Sequence, residues 1–181
     1  MVTLVEQIDI PAPFEKFLAW ADNFEEEFVK WSPLHYECNL YDKSLEAGSR
    51  LRFYEVVMGM DYDVTGKIIE SERDNDHLKI SFMSDQKTAI ITFEGTRTEN
   101  GLHFTHTEAF GMQTPVIGWI MNFLIFRVFY RKKANFQLIR EDMILDNHYL
   151  YDILVNGKYP ERGEERWRNG RKSGLPGNTG R

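Results

Sequence analysis

The segment from Thr114 to Gly157 constrains the fold most, because it carries the strongest helical periodicity in the chain. Placed at 100° steps around a helix, Met121, Ile125, Val128, Phe129, Phe136, Ile139, Met143, Leu150, Ile153 and Leu154 fall in one apolar sector. A stripe that wide requires another layer to cover it. Thr114-Pro115 suits an N-cap and first helical position, and Gly157 suits a C-terminal stop. Lys132 and Asp146 interrupt the sector, but about 21 Å of helix axis separates them, so they cannot pair directly. The most apolar part, PVIGWIMNFLIF, is shorter than the roughly 20 residues of a bilayer crossing, so no transmembrane segment is expected. Ending in RVFYRKK, it suits a peripheral contact with a membrane surface.

What precedes the helix reads as strands in need of a cover. VTLVEQIDI alternates, with Leu4, Ile8 and Ile10 on one face, and Pro11 and Pro13 end it. FEKFLAWADNFEEEFVKW reads as one or two short helices with Phe14, Phe17, Leu18 and Ala21 on one side. Then come LHYECNLY, RLRFYEVVMG, YDVTGKIIESE, HLKISFMS, TAIITFEGTRT and LHFTHTEAF, separated by compact turns. Asn100-Gly101 between the last two is a strong hairpin signal, and Asp74-Asn75-Asp76 marks another turn. The expectation is an α+β fold in which an antiparallel sheet of about seven strands wraps a long C-terminal helix. Residues 1–157 form that domain, and residues 158–181, rich in charge, Gly and Arg, form a tail without apolar periodicity.

Charge and cysteine usage exclude several functions. A formal charge of −6 over 181 residues argues against nucleic acid as a partner. Cys38 is the only cysteine, which excludes an internal disulfide and a thiolate zinc cluster. With no secretory leader pattern, the expected setting is cytoplasmic. Oligomeric state is left open.

The order of elements resembles the START-like superfamily, also called helix-grip or SRPBCC, which includes polyketide cyclases and lipid-transfer proteins. The resemblance rests on IDIPAPFEKFLAW, KWSP, EAGSRLRF, VTGKIIESE with HLKISF, and TEAFG leading into TPVIGW, spanning residues 3–155. It implies a ligand cavity between the sheet and the C-terminal helix, without supplying a function. A more distant resemblance is to zinc-dependent hydrolases of the diacetylphloroglucinol-hydrolase type, which cleave a carbon–carbon bond beside a phloroglucinol ring. It lies in KWSPLHYE, with His35, and FYEVVMG, with Glu55. Those enzymes take further ligands from a His-x-x-x-Glu pair on the last helix. The matching stretch here runs from Gln137 to Glu141 and lacks the histidine. Helical phasing turns Glu141 away from Phe136 and Met143. Strand alternation puts Leu34, Tyr36, Cys38 and Leu40 inward and His35 outward.

Alternation also places polar groups inside such a cavity. His106 and Glu108 share a face with Leu102, Phe104 and Phe110, and Glu55 shares one with Leu51, Phe53 and Val57. Burying unpaired charge is expensive, so these groups must meet one another, a cation, a ligand or water. Three roles compete: a hydrogen-bonded polar cluster, the orienting contacts of a ligand pocket, or a divalent metal site, zinc foremost. His106, Glu108, Glu55 and Asp146 are the metal candidates, with His35 and Glu141 behind them. Apolar walls are expected from Phe53, Tyr62, Val64, Ile80, Phe82, Phe93, Phe104, Phe110, Phe136 and Met143. The resulting expectation is a binder of a small hydrophobic, aromatic, polyketide-like or lipid molecule. The alternative is a metal-dependent hydrolase or cyclase using His106, Glu108 and Glu55 catalytically.

Overall fold

Period-two patterning along seven segments yields one sheet. The computed structural model describes residues 2–57, 60–112, 118 and 134–162. Strand β1 (Val2–Ile10) leads through α1 (Phe14–Asp22) and α2 (Phe24–Trp31) to β2 (His35–Leu40) and β3 (Arg50–Val57). Then follow β4 (Met60–Arg73), β5 (His77–Ser84), β6 (Ala89–Thr98), β7 (Gly101–Phe110) and a final helix, α3 (Ala134–Asn156). The sheet is antiparallel throughout, in the order β1-β7-β6-β5-β4-β3-β2. This is the α+β helix-grip architecture that the element order predicts.

The local chemistry explains the joints. Thr98 pairs with Gly101, leaving a two-residue turn at Glu99-Asn100, and Gly101 has φ 146°. A side chain there would collide with the Ile10 carbonyl, so only glycine fits. Asp74 Oδ1 accepts the backbone N–H groups of Asp76 and His77 at 2.8 Å each, closing the β4–β5 turn. Helix α3 stops at Gly157, with φ 63°, where Lys158 N–H reaches back to Asp152 O at 3.2 Å. Lys16 Nζ donates to the Leu154 carbonyl at 2.8 Å, placing a cation at the negative end of the helix.

Aromatic side chains tie α1 and α2 to one end of the sheet. Phe14, Phe17, Trp20, Phe24, Phe28 and Trp31 are all buried. Trp20 meets Trp31 edge-on at 5.2 Å, and Phe17 meets Phe104 of β7 at 5.6 Å. Met143, Leu150, Ile153 and Leu154 carry the buried side of α3. The proposed N-cap at Thr114, the sector from Met121 to Phe129, Lys132 and the basic RVFYRKK stretch lie outside the described residues. So does the tail from residue 163 onward. Among the described residues, no helix is long and apolar enough to cross a membrane.

Two bulges break the alternation. Ile69 is the extra residue between the Ile68↔Phe82 and Glu70↔Ser81 pairs, and Tyr36 is the extra residue between His35↔Glu55 and Glu37↔Tyr54. The second overturns one expectation. Counting back from Cys38 turns His35 outward, but the extra residue resets the phase, and both His35 and Tyr36 are buried.

Candidate functional site

Cross-strand partners share a face, so the register lays out the floor of the site. Glu108 of β7 lies beside Ile91 of β6, which lies beside Phe82 of β5. One rung over, His106 lies beside Phe93, and Phe93 beside Ile80. At the far side, Glu55 of β3 stands between His35 and Tyr62. Helix α3 brings Asp142 and Asp146 over these rungs, one turn apart on the same face.

Two adjoining chambers result. The smaller, about 40 Å³, is enclosed by aromatic residues of α2 with His35, Glu55, His106, Glu108, Asp142 and Asp146. The larger, about 260 Å³, is bordered by Tyr62, Val64, Phe110 and Ile139, with Ser84, Gln86 and Thr88 adding polar groups. Phe53, Glu55, Phe82, Ile91, Glu108 and Asp142 border both. No lysine or arginine lines either chamber among the described residues.

His35 is the best-anchored polar group. Its Nδ1–H donates to the Phe28 carbonyl at 2.8 Å, and the ring stacks on Phe28 at 4.1 Å. Nε2 is thereby aimed at Glu55 Oε2, 3.3 Å away, and Asp146 Oδ2, 3.5 Å away. Burial works against a charged ring, but Asp146 and then Glu55, with the Phe28 carbonyl, outweigh it and raise the His35 pKa to about 9. Burial drives Glu55 up to about 8, with His35 opposing and Glu108 and Asp146 adding to the rise. Burial likewise lifts Asp142 to about 7, helped by Asp146 and Glu108. Trp31 Nε1–H donates to the Asp146 carbonyl at 2.7 Å and fixes α3 against α2.

Three buried polar atoms on residues that line the smaller chamber have no hydrogen-bond partner among the described residues: both ring nitrogens of His106 and Oδ1 of Asp146. His106 is only 3% exposed. Glu108 Oε1 stands 3.3 Å from its Nε2, but without the alignment of a hydrogen bond. Unmet capacity of this kind is costly in a folded protein and calls for a partner.

The structure thus brings Glu55, His106, Glu108 and Asp146 together with His35, the lesser candidate, and adds Asp142. Asp142 was missed, although it lies four positions before Asp146, on the same helix face. Glu141 is exposed and takes a hydrogen bond from Gln137, away from the chambers. Among the expected walls, Phe53, Tyr62, Val64, Phe82, Phe93 and Phe110 line the chambers. Phe104 and Met143, 0% and 1% exposed, are core residues that line neither. Ile80 is core as well, and Phe136 stands against Phe110 at 6.4 Å without lining either chamber. Among the described residues, no three His, Cys, Asp or Glu side chains are already arranged to hold a metal ion.

No protein-family model and no curated protein matches the sequence. Solved structures match over most of the chain. TTHA0849 from Thermus thermophilus superposes with a TM-score of 0.60 at 17% identity, covering 87% of this chain and 99% of that one. Ara h 8.0201 gives 0.58 at 11% identity, over 86% and 98%. The Aha1 dimer from Colwellia psychrerythraea gives 0.54 at 15% identity, over 87% and 99%. At such identities the likeness shows the helix-grip fold and nothing finer.

Proposed function

We propose that the protein binds a small, largely apolar molecule of aromatic or polyketide-like type between the sheet and α3. The observation that carries this reading is a pair of adjoining, mainly apolar chambers, the smaller lined by His106, whose buried ring nitrogens are unpartnered among the described residues. Size assigns the two ends. An apolar cavity of about 150 Å³ accepts benzene, so the 260 Å³ chamber has room for a ring and the 40 Å³ chamber only for a small polar head. Ile91 borders both, so Ile91→Trp would fill the throat between them. Fluorescent aromatic probes should bind the wild-type protein and lose about tenfold or more in affinity in that variant while its circular dichroism is retained. Equal binding by both proteins would place the probe elsewhere and defeat the reading.

A second reading, a metal-dependent hydrolase acting on a similar substrate, draws on His35, Glu55, Asp142 and Asp146. These supply a histidine nitrogen, a strand carboxylate and two helix carboxylates four residues apart, the spacing of the helix pair in the resembling hydrolases. His35 Nε2 stands 3.3 Å from Glu55 Oε2 and 3.5 Å from Asp146 Oδ2, so these residues would be the ones to hold such an ion. A bound zinc would polarise a substrate carbonyl or activate water, while the aromatic walls hold the ring and His106 with Glu108 exchanges protons. Elemental analysis of protein purified without chelator should then show about one divalent ion per chain. Metal-free wild-type protein that also fails to take up zinc would remove this reading.

A further inference from the structure

The chemistry lining the smaller chamber selects the charge of what enters it. Four carboxyl groups border it, Glu55, Glu108, Asp142 and Asp146, against two imidazoles, His35 and His106. His35 is committed to Glu55 and Asp146 by its own geometry. Burial keeps protons on Glu55 and Asp142 toward neutral pH, and no lysine or arginine lines either chamber among the described residues, so Glu108 is left without a counter-charge. The aromatic rings of Phe28, Trp31, Phe53 and Phe93 complete the enclosure, and their faces attract cations. The unpartnered atoms, His106 ring nitrogens and Asp146 Oδ1, include acceptors for a donor entering from the ligand.

We infer that the ligand is an amphiphilic amine whose protonated nitrogen occupies the smaller chamber while its apolar body fills the larger one. This rests on the ligand-binding reading above and adds the charge of the head group. A primary ammonium is small enough for the 40 Å³ space. It carries three donors, which meet Asp146 Oδ1, Glu108 and one His106 nitrogen. An acid of the same shape would be repelled by Glu108, and a neutral alcohol would leave that carboxylate uncompensated.

Three probes of nearly equal shape test this on the full chain in the presence of a chelator: phenethylamine, 2-phenylethanol and 3-phenylpropionate. Calorimetric titration should show the amine binding about tenfold or more tightly than the alcohol, and the acid more weakly than either. The double variant Glu108→Gln with Asp146→Asn, shown to be folded by circular dichroism, should bind amine and alcohol with affinities within about twofold of each other. Equal affinities for amine and alcohol would overturn the charge assignment and leave the ligand site standing, as would preference for the acid. A preference for the amine that survives in the double variant would overturn the assignment too, because the cation would then lie elsewhere. Failure of all three probes to bind would overturn both inferences together.

Discussion

Glu55, Asp142 and His35 act in one direction on stability. Glu55 rises from 4.5 to about 8 on folding and Asp142 from 3.8 to about 7, so across those windows the folded chain holds protons that the unfolded chain has lost. His35, raised from 6.5 to about 9, contributes stability that is complete below 6.5 and lost as pH climbs through 9. All three therefore make stability decline with rising pH. Surface carboxylates act oppositely: Arg73 lowers Asp22, Lys43 lowers Glu25 and Arg97 lowers Glu15, so their support is lost only in acid. The melting temperature should be highest near about pH 5 and fall steadily to about pH 9. In Glu55→Gln the decline should be shallower; a rise in Tm over that range, or an unchanged slope in the variant, would contradict the burial of these groups. Glu55, His106 and Glu108 were legible because each sits on an alternating strand face. His35 was named only through the resemblance to the hydrolases, and alternation turned it outward, since nothing in LHYECNLY announces the extra Tyr36 that resets the phase.

Helix α1 explains why face and cavity are different questions. Alternation says that Phe104, His106 and Glu108 face inward together, but not which rungs a helix covers. Phe17 of α1 lies on Phe104 and against Gly95 of β6, and it turns that end of the sheet into core. His106 and Glu108, farther along β7, remain at the chambers. Any side chain at Gly95 would overlap the Phe17 ring and crowd Leu102. Gly95→Ala should therefore destabilise the fold by roughly 1–3 kcal/mol in denaturant unfolding, through displacement of α1. A variant as stable as wild type would show that the α1–β6 contact is looser than described. The phasing of α3 was likewise legible: it placed Asp146 on the buried side and Glu141 outside. The same phasing carries Met143 into the core, because packing between α3 and the sheet fills the space at that level.

At the scale of the whole molecule, the fold makes a cavity with a division of labour. The sheet and α3 enclose the larger chamber, α2 closes the smaller, and the register of β3 and β7 with one face of α3 brings Glu55, Glu108 and Asp142 to the border of both. Element order and strand alternation sufficed to predict the antiparallel sheet and its covering helix, while the cavity between them was implied by the family resemblance. The chamber sizes and the His35–Glu55–Asp146 cluster depend on three-dimensional packing between segments distant in sequence. The most direct measurement is long-range 15N NMR of the imidazole rings during titration with phenethylamine, or with 2-phenylethanol if that saturates first. If the head group enters the smaller chamber, both His106 ring nitrogens shift on saturation while those of His77, paired with Glu94 at the surface, stay fixed. Saturable binding that leaves the His106 nitrogens unmoved would contradict it.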